Sequence, residues 1–243
     1  MAKMLKIALL FAATLSVAAC DSGASTAKPG EKAKAGAPAA KDWTTTVVQT
    51  PEGGFRMGNP DAKVKIIEFA SFTCSHCQHF HVTGGEPLKN NYVKTGQLSY
   101  EYRPFMLNVY DFTAATLAMC EGPDRFFFWA NQLYTAHDAW VQPFTKLTDA
   151  DIEPLKALPP EQQVKGLATA GKLNEFAKTR GLPGAKFDAC FSDSKTFEAL
   201  QSRQNAALSQ YNIQGTPTFL LNGQKLDGVT TWEQLEPKIK AAL

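Results

Sequence analysis

The sequence predicts an α/β domain that carries a helical insertion, and three observations lead there. A β-rich apolar run, Val64-Lys-Ile-Ile-Glu-Phe-Ala-Ser-Phe72, feeds into Cys74-Ser-His-Cys77 and then into a polar, helix-compatible stretch. From about residue 108 to about residue 210 the pattern turns helical and is punctuated by Gly and Pro. Strand signals return at Thr218-Phe-Leu-Leu221 and a last helix follows. Strands that flank a block of helices describe one sheet with an insertion.

The chain has 243 residues and is 44% apolar, which suits one elaborated domain with an ordinary core. Residues 1–19 read as an export signal: Lys3 and Lys6 supply a positive start, and Ile7 to Ala19 an apolar run. The segment ends Val17-Ala-Ala-Cys20, which resembles a bacterial lipobox, so Cys20 is the expected lipidation site. Plain signal cleavage with an incidental Cys20 is the alternative. Without residues 1–19 the chain holds 23 basic and 23 acidic residues, a balance that argues against a nucleic-acid-binding surface. Export also places the remaining cysteines where disulfides persist.

Residues 20–42 are rich in Ala, Lys, Gly, Pro and Ser and read as a flexible tether. The folded domain is expected over 43–243. Thr44 to Val48 is β-branched and strand-like. Gly58-Asn-Pro-Asp61 reads as a turn before the central strand, Val64–Ala70. The helix that opens at Cys74 should kink or break at Gly84-Gly85 and Pro87. Leu98-Ser-Tyr-Glu-Tyr-Arg103 alternates as a strand and is closed by Pro104. Within the insertion, 110–120, 125–136, 164–180 and 194–211 look helical, with Phe197, Leu200, Leu208 and Tyr211 roughly on one face. The run Phe126-Phe-Phe-Trp129 reads as helical core. Asn222-Gly223 is a hairpin signal, with Gln224 to Leu226 returning. Thr230-Thr-Trp-Glu233 reads as a capping box for a final helix that buries Trp232, Leu235 and Ile239.

A Cys-x-x-Cys at a strand-to-helix junction reads as a redox dithiol. The helix-start amides carry partial positive charge, so Cys74 is the expected nucleophile and Cys77 the resolving thiol. A thiol pKa lowered from ~8.5 to ~4 favours the thiolate by ~4 kcal/mol at pH 7 and makes the pair more oxidising by ~90 mV. His76, if it donates to the Cys74 sulfur, acts the same way. Glu68 is costly in a strand of Ile, Phe and Ala unless it has a partner or a task. One reading is proton exchange with Cys77; the other is a less buried face or a lysine partner. A zinc reading of Cys74, His76, Cys77, His79 and His81 lacks a second well-spaced ligand pair, so no metal is expected. His79 and His81 are then solvent-facing or satisfied helix residues. Pro217 opens a strand, where it is tolerated, and spacing alone predicts a trans bond before it.

Together, Glu68-Phe-Ala-Ser-Phe-Thr-Cys-Ser-His-Cys77, Tyr102-Arg-Pro-Phe105, the helical insertion and Gly215-Thr-Pro-Thr-Phe219 resemble the DsbA-like thiol–disulfide oxidoreductase family over residues 43–243. The resemblance implies a thioredoxin fold with a helical insertion over about 108–210. It implies a cis bond at Thr216-Pro217 facing the redox pair, with the Thr216 backbone binding an extended substrate, and a buried acid at Glu68. It implies no cofactor beyond the redox-active Cys74–Cys77 disulfide. The implied function is a dithiol oxidase acting on cysteine-containing exported proteins and reoxidised by a quinone-linked membrane oxidase. Ser75 departs from the Pro-His pattern of the best-known oxidases, and Thr216 resembles isomerases as much as oxidases. A reductase or isomerase kept reduced is therefore one alternative, and a non-enzymatic partner-binding or metal-holding lipoprotein another. The protein is expected to be a monomer on the periplasmic or extracytoplasmic side, anchored through Cys20. Cys120 and Cys190 both sit in apolar settings within the helical block. They are expected to pair as a structural disulfide, since export disfavours free thiols and some similar proteins carry a second bridge. Two separate buried thiols are the alternative.

Overall fold

The computed structural model describes residues 41–243. The export signal, Cys20 and all but the last two residues of the tether lie outside the described residues.

Six strands form one sheet in the order β1-β2-β4-β3-β5-β6. They are β1 (Val47–Gln49), β2 (Phe55–Gly58), β3 (Val64–Ala70), β4 (Leu98–Pro104), β5 (Thr218–Leu221) and β6 (Gln224–Lys225). β3 and β4 run parallel, with Ile66 opposite Tyr100, and the other pairs are antiparallel. The helix α1 (Ser75–Pro87) leaves the C-terminal end of β3, the central strand, with Cys74 as its N-cap. Open α/β sheets place their chemistry at this end of their strands.

The central β3 has the expected bounds, because an apolar run flanked by both neighbours has no alternative. β2 carries Arg56 between Phe55 and Met57 and was not expected as a strand; its long-range pairing with β4 decides it. The expected strand from Thr44 starts later, since Trp43–Thr45 forms a 3₁₀ turn capped by Asp42. β4 is buried along its whole length despite its alternating sequence. Its polar face is covered too, and Glu101 there accepts from Arg103 Nε at 2.7 Å and from Thr50 Oγ1 at 2.8 Å.

α1 is not broken at its glycines. Gly84 lies where a Cβ would come 2.7 Å from the Trp232 side chain, so its absence lets two helices touch. Past Pro87 the chain continues as a wider, π-type turn over Leu88–Val93.

Between β4 and β5 lies the helical block: α2 (Val109–Met119), α3 (Pro123–Thr135), α4 (His137–Thr145), α5 (Asp149–Lys156), α6 (Pro160–Ala170), α7 (Leu173–Lys178), α8 (Gly184–Phe191) and α9 (Ser194–Tyr211). The segment expected as one helix over 164–180 is two, parted at Lys172, whose φ is 58°. α4 and α5 carry internal prolines and α8 starts on Gly184, so weak local signals hid all three; packing makes them helices. In α9, Leu200 is buried but Leu208 is exposed, because α2 and β4 cover only part of the apolar stripe. Phe126 and Trp129 are core, whereas Phe127 and Phe128 are half-buried. The hairpin turn at Asn222-Gly223 has φ of 48° and 85°. The last helix, α10 (Trp232–Ala242), is capped one residue later than expected, by Thr231 with Gln234 at N3.

The main core lies between the sheet, α1, α10 and the helical block. Phe80 and Phe219 are fully buried, with ring centroids 4.7 Å apart. Each such side chain contributes roughly 1.5–3 kcal/mol. The site therefore stands on rigid elements.

Candidate active site

Cys74 and Cys77 are both thiols in this structure, but their settings differ. Cys74 caps α1 and keeps 9% of its surface; Cys77, one turn in, is sealed. The peptide bond between Thr216 and Pro217 is cis, and the Thr216 carbonyl accepts from Cys74 Sγ at 3.3 Å. The Thr216 hydroxyl has no other partner and lies where it can donate to a thiolate.

The Cys74 pKa is lowered to about 5. The Cys77 thiol donating to the Cys74 sulfur is the largest cause, followed on the lowering side by Thr216 and the amides of Cys77 and His76. Partial burial opposes them. The His76 ring is exposed and makes no hydrogen bond to sulfur, while the backbone amide of His76 is among the groups that lower the Cys74 pKa. The Cys77 pKa is pushed up, chiefly by burial, then by its bond to Cys74 and the nearby Glu68 charge. Above a pH of about 5 Cys74 gives up the proton it shares with the Thr216 carbonyl while Cys77 keeps its own, which is the asymmetry thiol–disulfide exchange needs.

Glu68 points into the main core and is fully buried. It has neither a lysine partner nor an exposed face. Its Oε2 accepts from the Tyr100 hydroxyl and lies 3.1 Å from His81 Nε2, while Oε1 has no partner. His81 is thus not a solvent-facing residue: its ring stacks on Tyr134 with centroids 4.1 Å apart. Among the described residues, no group of three or more His, Cys, Asp or Glu is gathered as for a metal ion.

The turn into Cys74 is held by Asp111, a residue outside the redox motifs of the sequence. This buried carboxyl accepts from Ser71 Oγ (2.8 and 2.9 Å), Thr73 N (2.9 Å), Thr73 Oγ1 (3.0 Å) and Leu107 N (2.8 Å). Burial raises its pKa against the pull of those donors. Asp111 is also the N3 residue of a capping box with Asn108. That Asn-x-x-Asp spacing was the signal available for it. Tyr134 adds a bond to the Ser71 carbonyl at 3.1 Å. The helical block thereby fixes the backbone just ahead of Cys74. Farther off in that block, Cys120 and Cys190 are joined, with Cα atoms 5.4 Å apart.

Residues 50–241 match the family described as Thioredoxin. A crystal structure described as a protein-disulfide isomerase from Novosphingobium aromaticivorans is similar at 31% identity and a TM-score of 0.73, covering 76% of this chain and 95% of that one. Wolbachia pipientis alpha-DsbA1 shares the fold at 23% identity and a TM-score of 0.63, over 80% of this chain and 92% of that one. A Rickettsia bellii protein named as a protein-disulfide oxidoreductase is 28% identical over 71% of this chain and 58% of its own length. The chain spans little more than half the length of the Rickettsia relatives it matches.

Proposed function

The chain belongs to the thioredoxin family, as a DsbA-like thiol–disulfide oxidoreductase, and on that premise we propose that it is an exported dithiol oxidase. The observation that carries this reading is the split between a Cys74 lowered to about 5 and a sealed, protonated Cys77. A stabilised thiolate favours the reduced form of the pair, so the disulfide is a good oxidant.

Cys74 and Cys77 are the catalytic residues. A substrate thiolate attacks the Cys74 sulfur of the oxidised pair and forms a mixed disulfide, while the bond to Cys77 breaks and its electron pair stays on the Cys77 sulfur. A second substrate thiol then displaces Cys74, and the oxidised substrate leaves. The Thr216 carbonyl beside Pro217, which accepts from Cys74 Sγ in the reduced protein, accepts from the amide of an extended substrate segment in the oxidised one. His76 supports the thiolate through its amide. Glu68 exchanges a proton with Cys77, with which it shares the core beneath the redox turn. Cys120–Cys190 fastens the helical block.

The substrates proposed are cysteine-containing exported proteins, and the reoxidising partner is a quinone-linked membrane oxidase. The protein works as a periplasmic or extracytoplasmic monomer held to the membrane by a lipid on Cys20, with residues 20–42 giving it reach. Among the described residues no helix is long and apolar enough to cross a membrane. A second reading, a reductase or isomerase kept reduced, is favoured by the name of the Novosphingobium relative. Equilibration with glutathione separates the two. The oxidase reading expects a potential nearer the ~−120 mV of a strong oxidant than the ~−270 mV of a thioredoxin reductant. A value near the latter, or a pair kept reduced in growing cells, overturns it.

A further inference from the structure

Cys77 and Glu68 are both fully buried, so a proton that either one gains or loses has no direct access to water. Cys77 and His81 are four residues apart on α1 and share one helix face. His81 Nε2 lies 3.1 Å from Glu68 Oε2, and neither that nitrogen nor Glu68 Oε1 has a hydrogen-bond partner. The His81 side chain keeps 15% of its surface. It lines a cavity of about 280 Å³ walled by Met57, Phe80, Leu88, Phe127 and Phe128. Exposed Glu86 and Asn131 stand at the cavity's rim. Within the cluster of Cys77, Glu68, Tyr100 and His81, the histidine alone is more than one-tenth exposed.

We propose that His81 is the relay through which the proton of Cys77 passes between Glu68 and water in this cavity. The proposal rests on the dithiol reading above and adds a residue to it. When Cys77 attacks a Cys74 mixed disulfide, the Cys74–Cys77 bond forms and the departing thiolate takes the electron pair of the broken bond. The Cys77 proton goes to Glu68, and His81 hands one on to water; in the reverse step each transfer runs backward. The imidazole fits this task because one nitrogen can face Glu68 while the other serves the cavity. Other titratable groups face the ring. Tyr134 of α3 stacks on it, and Tyr100 and Tyr102 of β4 lie at 6.5 and 5.8 Å between centroids. Glu86 of α1 and Lys89 of the following turn line the same cavity. Burial pushes all three tyrosines up, so the phenols stay protonated and leave the carboxyl and imidazole as the groups that move the proton.

The test uses the reduced protein and oxidised glutathione in rapid-mixing experiments with mass detection. First, Cys74 takes up glutathione; second, Cys77 expels it. In His81→Gln the second step should slow by about 10- to 100-fold while the first stays within about 2-fold, since a positioned proton carrier acts only where a proton moves. Added imidazole should restore the second step in proportion to its concentration, an effect that a packing role does not produce. Gly85 lines the same cavity and a Cβ there meets nothing within 4 Å. Gly85→Leu should therefore blunt the rescue, and in the otherwise unchanged chain should slow the second step alone. That variant carries the test if His81→Gln does not fold. A second step unchanged in His81→Gln, or slowed without imidazole rescue, overturns the relay; so does an unchanged second step in Gly85→Leu where that variant carries the test. A wild-type chain that forms no mixed disulfide at Cys74 overturns the dithiol reading itself.

Discussion

Cys74 and Cys77 stand three residues apart at the head of α1, while Cys120 and Cys190 are joined across 70 residues of the helical block. The first pair is set among amides, a threonine hydroxyl and a buried carboxyl, all of which act on its charge. The second links α8 to the C-cap of α2 among packed apolar side chains, and with both sulfurs held in a disulfide neither carries charge. Surroundings, not the thiols themselves, separate a reactive pair from a staple.

Predictions that break or sharpen this contrast begin with the largest effect. Cys74→Ser should lower oxidation of a dithiol peptide by at least about 10³-fold, since Cys77 is sealed and Cys120 and Cys190 are already joined, leaving no other accessible thiol among the described residues. A variant with both Cys120→Ser and Cys190→Ser should keep that rate within about 2-fold, since the staple touches no reacting atom. Turnover assays of the two variants side by side would erase the contrast if both lost activity equally.

The same double variant should lose up to ~4 kcal/mol of stability in urea melts, the chain-entropy value for a loop of about 70 residues. An unchanged urea midpoint would mean the bridge fastens nothing. Asp111→Asn should cost about 1–3 kcal/mol, because the amide cannot accept all the donors that converge there. A shifted Cys74 titration in this variant, read with the melt, would show that the helical block positions the thiolate; an unmoved one would confine Asp111 to stability.

The smallest effect is on the pH dependence of the reduced form. Cys74 has a folded pKa of about 5 against an ordinary 9.0, so its stabilisation is complete above about 9 and is lost as pH falls through about 5. At pH 7 it amounts to about 2 kcal/mol, once screening at the part-exposed sulfur is allowed for. Cys77 has the opposite sign: its pKa is raised, so stability falls once pH exceeds its unfolded value. Urea melts of the reduced protein from pH 5 to about 10 should therefore rise and then turn down. A flat curve would remove the asymmetry between the two thiols.

The two regions also differed in how well the sequence foretold them. β3, the turn at Asn222-Gly223 and the bounds of α9 were legible, because periodicity and turn residues agree with the final packing there. Cys74, Cys77, Thr216 and Pro217 were legible as motifs, although spacing by itself favoured a trans bond before Pro217. α4, α5 and α8 were not, since prolines and glycine weaken their local signal and only tertiary contact stabilises them. Asp111, Tyr100 and the role of His81 were hidden for a further reason. Each acts across elements far apart in sequence, on Thr73 or Glu68; the Asn108-x-x-Asp111 spacing marks a helix cap but not that meeting, and Tyr100 and His81 stand in no local pattern that shows theirs. His76 stands out by its place between the cysteines, yet its ring faces solvent and only its amide bears on the Cys74 sulfur.

The central claim is that the fold charges Cys74 and keeps Cys77 protonated. Thiolate absorbance of the reduced protein, titrated in the wild type and in Cys77→Ala, which removes the donor, tests it most directly. The account predicts one thiolate appearing with a midpoint of about 5 in the wild type and none from Cys77 until well above 9.0. Because the Cys77 thiol is the largest cause of that lowering, its replacement should move the Cys74 midpoint upward. A wild-type Cys74 midpoint near 9.0, or both thiols titrating together, would contradict the account.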